Sequence, residues 1–135
     1  MDVEGLHHVS LAVTDLERSR RFYTDVLGLE EVERPRFDFA GVWYRVGSCQ
    51  LHLIAHKSPT LRKGGIDSRD VHFAIRVPSY AAAVRALRIR GYCRDAVEEI
   101  KRVREQPSGK AGFPQVFLLD PDRHVIELNA QQRDD

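Results

Sequence analysis

His8, His52, His72 and Glu127 carry the residue types and the spacing that could do chemistry in this chain. Each falls inside a short segment of alternating character: His8-Val-Ser-Leu-Ala-Val13, Leu51-His52-Leu53, His72-Phe-Ala-Ile-Arg-Val77 and Ile126-Glu127-Leu128. His72 follows His8 by 64 positions, and Glu127 follows His52 by 75. Two half-chains each place one strand-borne ligand near their start and one near their end. Three imidazoles and one carboxylate that converge make a site for a divalent cation. Any one of the four alone reads as a polar residue on a solvated face. Four at repeat-related places do not follow from solvation. His7, His56 and His124 fall outside the repeat and read as surface or supporting residues.

The elements that must position these residues recur twice. Residues 6–13 read as a strand. Thr14 or Asp15 then caps a helix over Leu16 to Leu27, because either side chain can accept from free N–H groups of the first turn. Gly28 suits the left-handed position after the helix. Strands follow near 29–36, 37–46 and 49–55, the last two joined by Gly47-Ser48. The polar stretch 57–69, with Pro59, Gly64 and Gly65, reads as a linker. The pattern then restarts. A strand over 71–77 leads to Pro78 at the start of a helix over 79–90, closed by Gly91. Strands follow near 93–104, 113–119 and 123–129, the last two joined by a turn at Asp120-Pro121-Asp122. The order is β-α-β-β-β twice, an α+β fold of two paired βαβββ modules. Module one covers about 5–56 and module two about 70–129, within a single domain spanning 1–135. Each half is too small to bury a core well alone.

Period-two geometry decides which residues share a face. His8 goes with Ser10 and Ala12, His52 with Gln50 and Ile54, His72 with Ala74 and Arg76, and Glu127 with Val125 and Asn129. The opposite faces are apolar and suit packing under a helix. All four candidate ligands are therefore expected on the faces away from the helices, where curved sheets would enclose a cavity. An enclosed Glu127 calls for a cation, because burying an isolated carboxylate is costly.

Composition limits the alternatives. With 135 residues the chain suits one compact domain, and its 30% charged and 42% apolar content is that of a soluble globular protein. A net charge of +1 gives no reason to expect nucleic acid. Lys101, Arg102, Arg104 and Lys110 form a local basic stretch that reads first as a solvated hairpin. Two cysteines, Cys49 and Cys93, are too few for a secreted disulfide framework and read as structural. The N-terminus lacks the apolar run of a signal peptide, and nothing approaches the ~20 apolar residues of a membrane span. A reducing cytoplasm is the expected compartment.

The chain resembles the vicinal oxygen chelate superfamily, which includes glyoxalase I, methylmalonyl-CoA epimerase, extradiol dioxygenases, and fosfomycin- and bleomycin-resistance proteins. The resemblance runs from Gly5 to Glu127. It rests on Leu6-His-His8-Val-Ser-Leu-Ala-Val13, Asp15-Leu-Glu-Arg-Ser-Arg-Arg-Phe-Tyr23 with Leu27-Gly28-Leu29, Gln50-Leu-His52-Leu-Ile54, Val71-His72-Phe-Ala-Ile75, and Asp120-Pro-Asp122 with Ile126-Glu127-Leu128. It implies a homodimer, a small-molecule substrate and one divalent metal ion, with Zn, Ni, Fe, Mn and Co all open. His8, His72 and Glu127 match the family's two strand histidines and last-strand glutamate. His52 stands where glyoxalase I has glutamate and the epimerases glutamine. Arg123 stands where the family often has glycine.

The chemistry implied is that of a lyase or isomerase acting on a carbonyl or hydroxy acid through an enolate. Glu127 is the candidate base, with neutral His52 assisting. Arg76 could take a substrate carboxylate or phosphate bidentately, and Trp43 and Arg45 could line the cavity. The alternatives are an iron-dependent ring-cleaving dioxygenase using His8, His72 and Glu127, and a drug-binding or resistance protein of the bleomycin or fosfomycin type.

Overall fold

The computed structural model describes residues 1–57 and 62–134. Two compact units emerge, Met1–Leu61 and Arg62–Asp135. Each is a four-stranded mixed sheet with one helix, as the repeat predicts.

The first unit contains β1 (His8–Val13), β2 (Glu30–Val32), β3 (Gly41–Val46) and β4 (Cys49–Ala55), in the sheet order β1-β4-β3-β2. The outer pair β1 and β4 is parallel, and the remaining pairs are antiparallel. Helix α1 (Leu16–Arg21) begins at Asp15, whose carboxylate accepts from the Arg18 N–H, so Asp15 rather than Thr14 is the cap. The helix predicted to reach Leu27 widens at Phe22–Val26 into a π-helical turn. The Tyr44 hydroxyl, reaching from β3, donates to the Arg20 carbonyl at 3.4 Å and supports the backbone where the helix widens. Gly28 has φ +68°, the left-handed position expected after the helix. Val13, Val42, Tyr44, Leu51 and Leu53 are essentially fully buried, as are Ser19 and Tyr23 of the helix. Burying each large apolar side chain stabilises the fold by about 1.5–3 kcal/mol. The predicted strands near 29–36 and 37–46 are shorter than expected. Residues 33–40 leave the ladder as a loop in which the Arg34 guanidinium lies against Phe37 and Phe39.

The second unit repeats the plan with β5 (His72–Arg76), α2 (Tyr80–Ile89), β6 (Arg104–Gln106), β7 (Gln115–Leu119) and β8 (Val125–Asn129), in the order β5-β8-β7-β6. Pro78 does not open α2. Ser79 is the cap, its hydroxyl accepting from the Ala82 N–H at 3.0 Å, and Pro78 precedes it. Gly91 ends the helix at φ +86°. The predicted strand over 93–104 does not form. That stretch makes a bridge between Cys93 and Arg102, a 3-10 turn at Glu99–Lys101 and only the short β6. The basic stretch is largely tied down there: Lys101 pairs with Glu98, and the Arg102 guanidinium donates to the Ala96 carbonyl.

The Asp120-Pro121-Asp122 turn holds together through one carboxylate oxygen. Asp120 Oδ1 accepts from the Asp122 and His124 N–H groups at 2.9 and 2.8 Å. Arg123 then takes φ +67°, a left-handed position that favours glycine. Its guanidinium compensates by pairing with Glu99 at 2.6 Å and donating to the Gly64 carbonyl. Both cysteines are free. Among the described residues no helix is long and apolar enough to cross a membrane.

Candidate functional site

The strand registers put the candidate ligands on the sheet faces that the parity rule assigns. In the first unit His52 lies opposite Ser10 of β1 and Trp43 of β3, while Gln50 lies opposite His8 and Arg45. Trp43 and Arg45 therefore share the His8/His52 face. The apolar Leu51 and Leu53 point to the α1 side.

On that face three rings form a column, one from each of three adjacent strands. Trp43 stacks on His52 at 4.0 Å with 4° between planes, and His52 stacks on His8 at 4.2 Å and 16°. The sandwich explains why His52 is only 6% exposed. Burial, and after it the neighbouring His8, His7 and Arg34 charges, hold the His52 imidazole below its ordinary pKa. Its Nε2 lies 2.8 Å from the Gln50 Oε1. An amide oxygen only accepts, so Nε2 carries the proton. His7, left outside the set by the repeat, packs edge-on against His8 with their Nδ1 atoms 2.8 Å apart. Arg45 pairs with Glu30 at 3.2 Å, both side chains largely exposed.

Imidazoles stacked face to face cannot share one ion, because each nitrogen lone pair lies in its own ring plane and the two do not converge. Joint ligation by His8 and His52 requires one ring to leave the stack, and with Nε2 held by Gln50 the His52 nitrogen open to a metal is Nδ1. The sequence contained the three ring positions, but not their stacking.

The second unit is arranged differently. Glu127 is 5% exposed on β8. Its Oε1 accepts from Gln115 Nε2 at 2.9 Å and Asn129 Nδ2 at 2.7 Å. Its Oε2 faces His72 Nε2 at 3.3 Å. His72 Nδ1 lies 2.8 Å from the Asp70 carbonyl, which can only accept, so Nδ1 carries the ring proton. In the neutral imidazole Nε2 is then a bare lone pair facing a carboxylate oxygen. Two such groups repel unless a proton or a cation lies between them. Adjacent ligands about 2.1 Å from one ion stand about 3.0–3.4 Å apart, and this pair fits that spacing. A carbonyl that fixes the imidazole tautomer is the usual support of a metal-binding histidine.

Phe117, opposite Glu127 in the ladder, meets the His72 ring edge-on at 5.6 Å. Phe117, Leu119 and Val125 form a cluster that Ile66 and Ile100 pack against, so part of the predicted linker belongs to this face. Arg76 lies on the same face, its guanidinium 5.3 Å from the Phe113 ring, with no carboxylate partner among the described residues. Gln115 was not anticipated from sequence. Its place follows from the register Gln115↔Asn129 on the Glu127 side of the sheet. Among the described residues no three His, Cys, Asp or Glu side chains are grouped to hold a metal ion.

The family model of the Glyoxalase/Bleomycin resistance protein/Dioxygenase superfamily matches residues 5–128. The chain belongs to this superfamily. Among curated relatives, it is 31% identical to methylmalonyl-CoA epimerase of Homo sapiens over 94% of this chain and 73% of that protein. It is 29% identical to Glyoxylase I 4 of Arabidopsis thaliana over 95% of this chain and 71% of that one. Among solved structures, the fold matches that of the fosfomycin resistance protein FosX of Listeria monocytogenes, solved with Mn(II) and 1S,2S-dihydroxypropylphosphonic acid. The TM-score is 0.71, with 18% identity over 96% of this chain and 93% of that one. The likeness to FosX is one of fold.

Proposed function

We propose that the protein is a divalent-metal-dependent lyase or isomerase acting on a small carbonyl or hydroxy-acid substrate. The proposed ligands are His8, His52, His72 and Glu127, with Zn, Ni, Fe, Mn and Co all compatible with such donors. One observation carries the reading. His72 Nε2 faces a buried Glu127 carboxylate oxygen at 3.3 Å, while its Nδ1 is held by the Asp70 carbonyl. A bound cation would supply a Lewis acid that draws charge toward two neighbouring substrate oxygens.

Glu127 is the proposed base for a proton next to the substrate carbonyl. Gln115 and Asn129 occupy Oε1, so Oε2 is the atom available to the metal or the proton. Neutral His52, held by Gln50, assists from the first module. Arg76 is the proposed contact for a substrate carboxylate or phosphate, since no acid among the described residues neutralises it. Trp43 and Arg45 complete the proposed substrate surface. A homodimer is part of the reading, and each site could draw its two pairs from one chain or from two.

A second reading has one observation in its favour. The stacking of His52 between Trp43 and His8 keeps it from ligating the same ion as His8 in this arrangement. His8, His72 and Glu127 would then form the 2-His-1-carboxylate set of an iron-dependent ring-cleaving dioxygenase.

The test begins with chelator-stripped protein equilibrated with each metal and assayed for stoichiometry. His8→Ala, His72→Ala and Glu127→Ala should each lose binding, and His56→Ala should not. Failure to take up any metal ends both metal-dependent readings and leaves a binding protein. Oxygen uptake with catechols on the iron-loaded protein, without proton exchange into carbonyl substrates in deuterated water, favours the dioxygenase.

A further inference from the structure

We propose that the loop joining β2 to β3 forms a separate binding site in the first unit. Its ligand is a carboxylate or phosphate joined to an apolar or aromatic body. An open groove of about 620 Å³ lies between this loop and α1. Its walls include Arg20, Arg34 and Arg36 with Leu16, Phe37 and Phe39. The three arginines face a single acid, Asp38, within the lining. Arg20 is committed to Glu17 at 2.7 Å and Glu31 at 3.5 Å. Arg34 and Arg36 have no carboxylate partner among the described residues, so the groove keeps uncompensated positive charge.

The Arg34 guanidinium is built in. It lies 4.7 Å from the Phe37 ring and 5.0 Å from the Phe39 ring, and Nη2 donates to the Phe39 carbonyl at 2.9 Å. Gly41 makes the room. A Cβ there would fall 2.9 Å from Arg34 Nε and 2.5 Å from the Leu53 carbonyl. The Nε–H groups of both Arg20 and Arg34 are buried without an acceptor. These two donors lie beside the lining and leave its positive charge without an internal acceptor, which favours an anionic ligand at Arg34 and Arg36. The flanking aromatic rings and Leu16 suit an apolar body attached to that anion.

Trp43, the chain's single tryptophan, reports on the site, because its ring lies 6.1 Å from Phe37. The experiment titrates the full chain, with chelator present, with phenyl phosphate, benzoate, inorganic phosphate and phenol while following Trp43 fluorescence. Saturable binding of phenyl phosphate or benzoate is expected, with the tighter of the two identifying the anion. Inorganic phosphate and phenol should each bind at least tenfold more weakly than that ligand. Arg36→Gln, an exposed change that leaves the fold intact, should weaken binding about fivefold, and Arg34→Gln more than tenfold. Rising salt should weaken binding in the wild type. No saturable signal overturns the proposal. So do affinities unchanged in Arg36→Gln, or phenol binding as tightly as phenyl phosphate. The chelator removes any metal-dependent binding, and the Arg34 and Arg36 variants separate this site from the proposed substrate surface that Trp43 also borders.

Discussion

Replacing Glu127 by Gln separates a metal half-site from an ordinary ion pair. Gln keeps an oxygen to accept from Gln115 and Asn129, and its new N–H₂ group falls toward His72 Nε2, which Glu127 Oε2 faces at 3.3 Å. If His72 were a charged partner, the pair at 3.3 Å would be worth about 5 kcal/mol at an effective dielectric of ~20. In bulk water the same pair is worth only about 1 kcal/mol. His72 is 24% exposed, which places it between these limits, and loss of the pair would destabilise the protein by that order. If Nε2 is instead a bare lone pair, Glu127→Gln exchanges a repulsive contact for a hydrogen bond worth about 1 kcal/mol. Urea unfolding of chelator-treated proteins at neutral pH measures the difference. The variant is expected to match the wild type or exceed it by up to about 2 kcal/mol. Metal at a hundred times its dissociation constant should stabilise the wild type by about 2.7 kcal/mol and the variant by almost nothing. A loss above about 1 kcal/mol in the stripped variant refutes the lone-pair assignment. Equal metal stabilisation of the two proteins removes Glu127 from the ligand set.

Three further outcomes are expected. Asn129→Ala removes one of two donors to Glu127 Oε1 and should weaken metal affinity about 10–100-fold, measured by competition with a chromophoric chelator. Gly41→Ala forces a Cβ to 2.5 Å from the Leu53 carbonyl and should destabilise the first unit by about 1–3 kcal/mol, read from urea midpoints. The hydrogen bond from Arg123, and after it that side chain's charge, holds Glu99 below the ordinary carboxylate pKa. A depressed carboxylate contributes stability above its unfolded pKa of about 4.5, and the contribution fades as pH falls through the folded value. Arg123→Gly relieves the φ +67° backbone but removes this contribution, so its melting temperature should fall less between pH 5 and pH 3 than the wild type's. An identical acid dependence of the two proteins would show that the contact contributes nothing.

Much of this protein was determined by its sequence. Alternation along 8–13, 51–53, 72–77 and 126–128 fixes which side chains share a face. A helix stripe and a terminal glycine in each half require the β-α-β-β-β order, and the structure has both repeats. The α1 cap and the left-handed Gly28 were legible because capping and chirality are local. The strand expected over 93–104 was not, because its ladder partners decide whether it pairs, and only 104–106 finds β7. The stretch 33–40 left its ladder because Arg34 lies against Phe37 and Phe39, a contact no local pattern encodes. The two candidate pairs share a motif in sequence, and each unit holds its pair differently. His72 and Glu127 are set by a carbonyl and two amides that arrive from neighbouring positions and strands. His8 and His52 are stacked with Trp43 because β1, β4 and β3 lie side by side. Period two assigns a face; only the cross-strand register decides which rings meet on it.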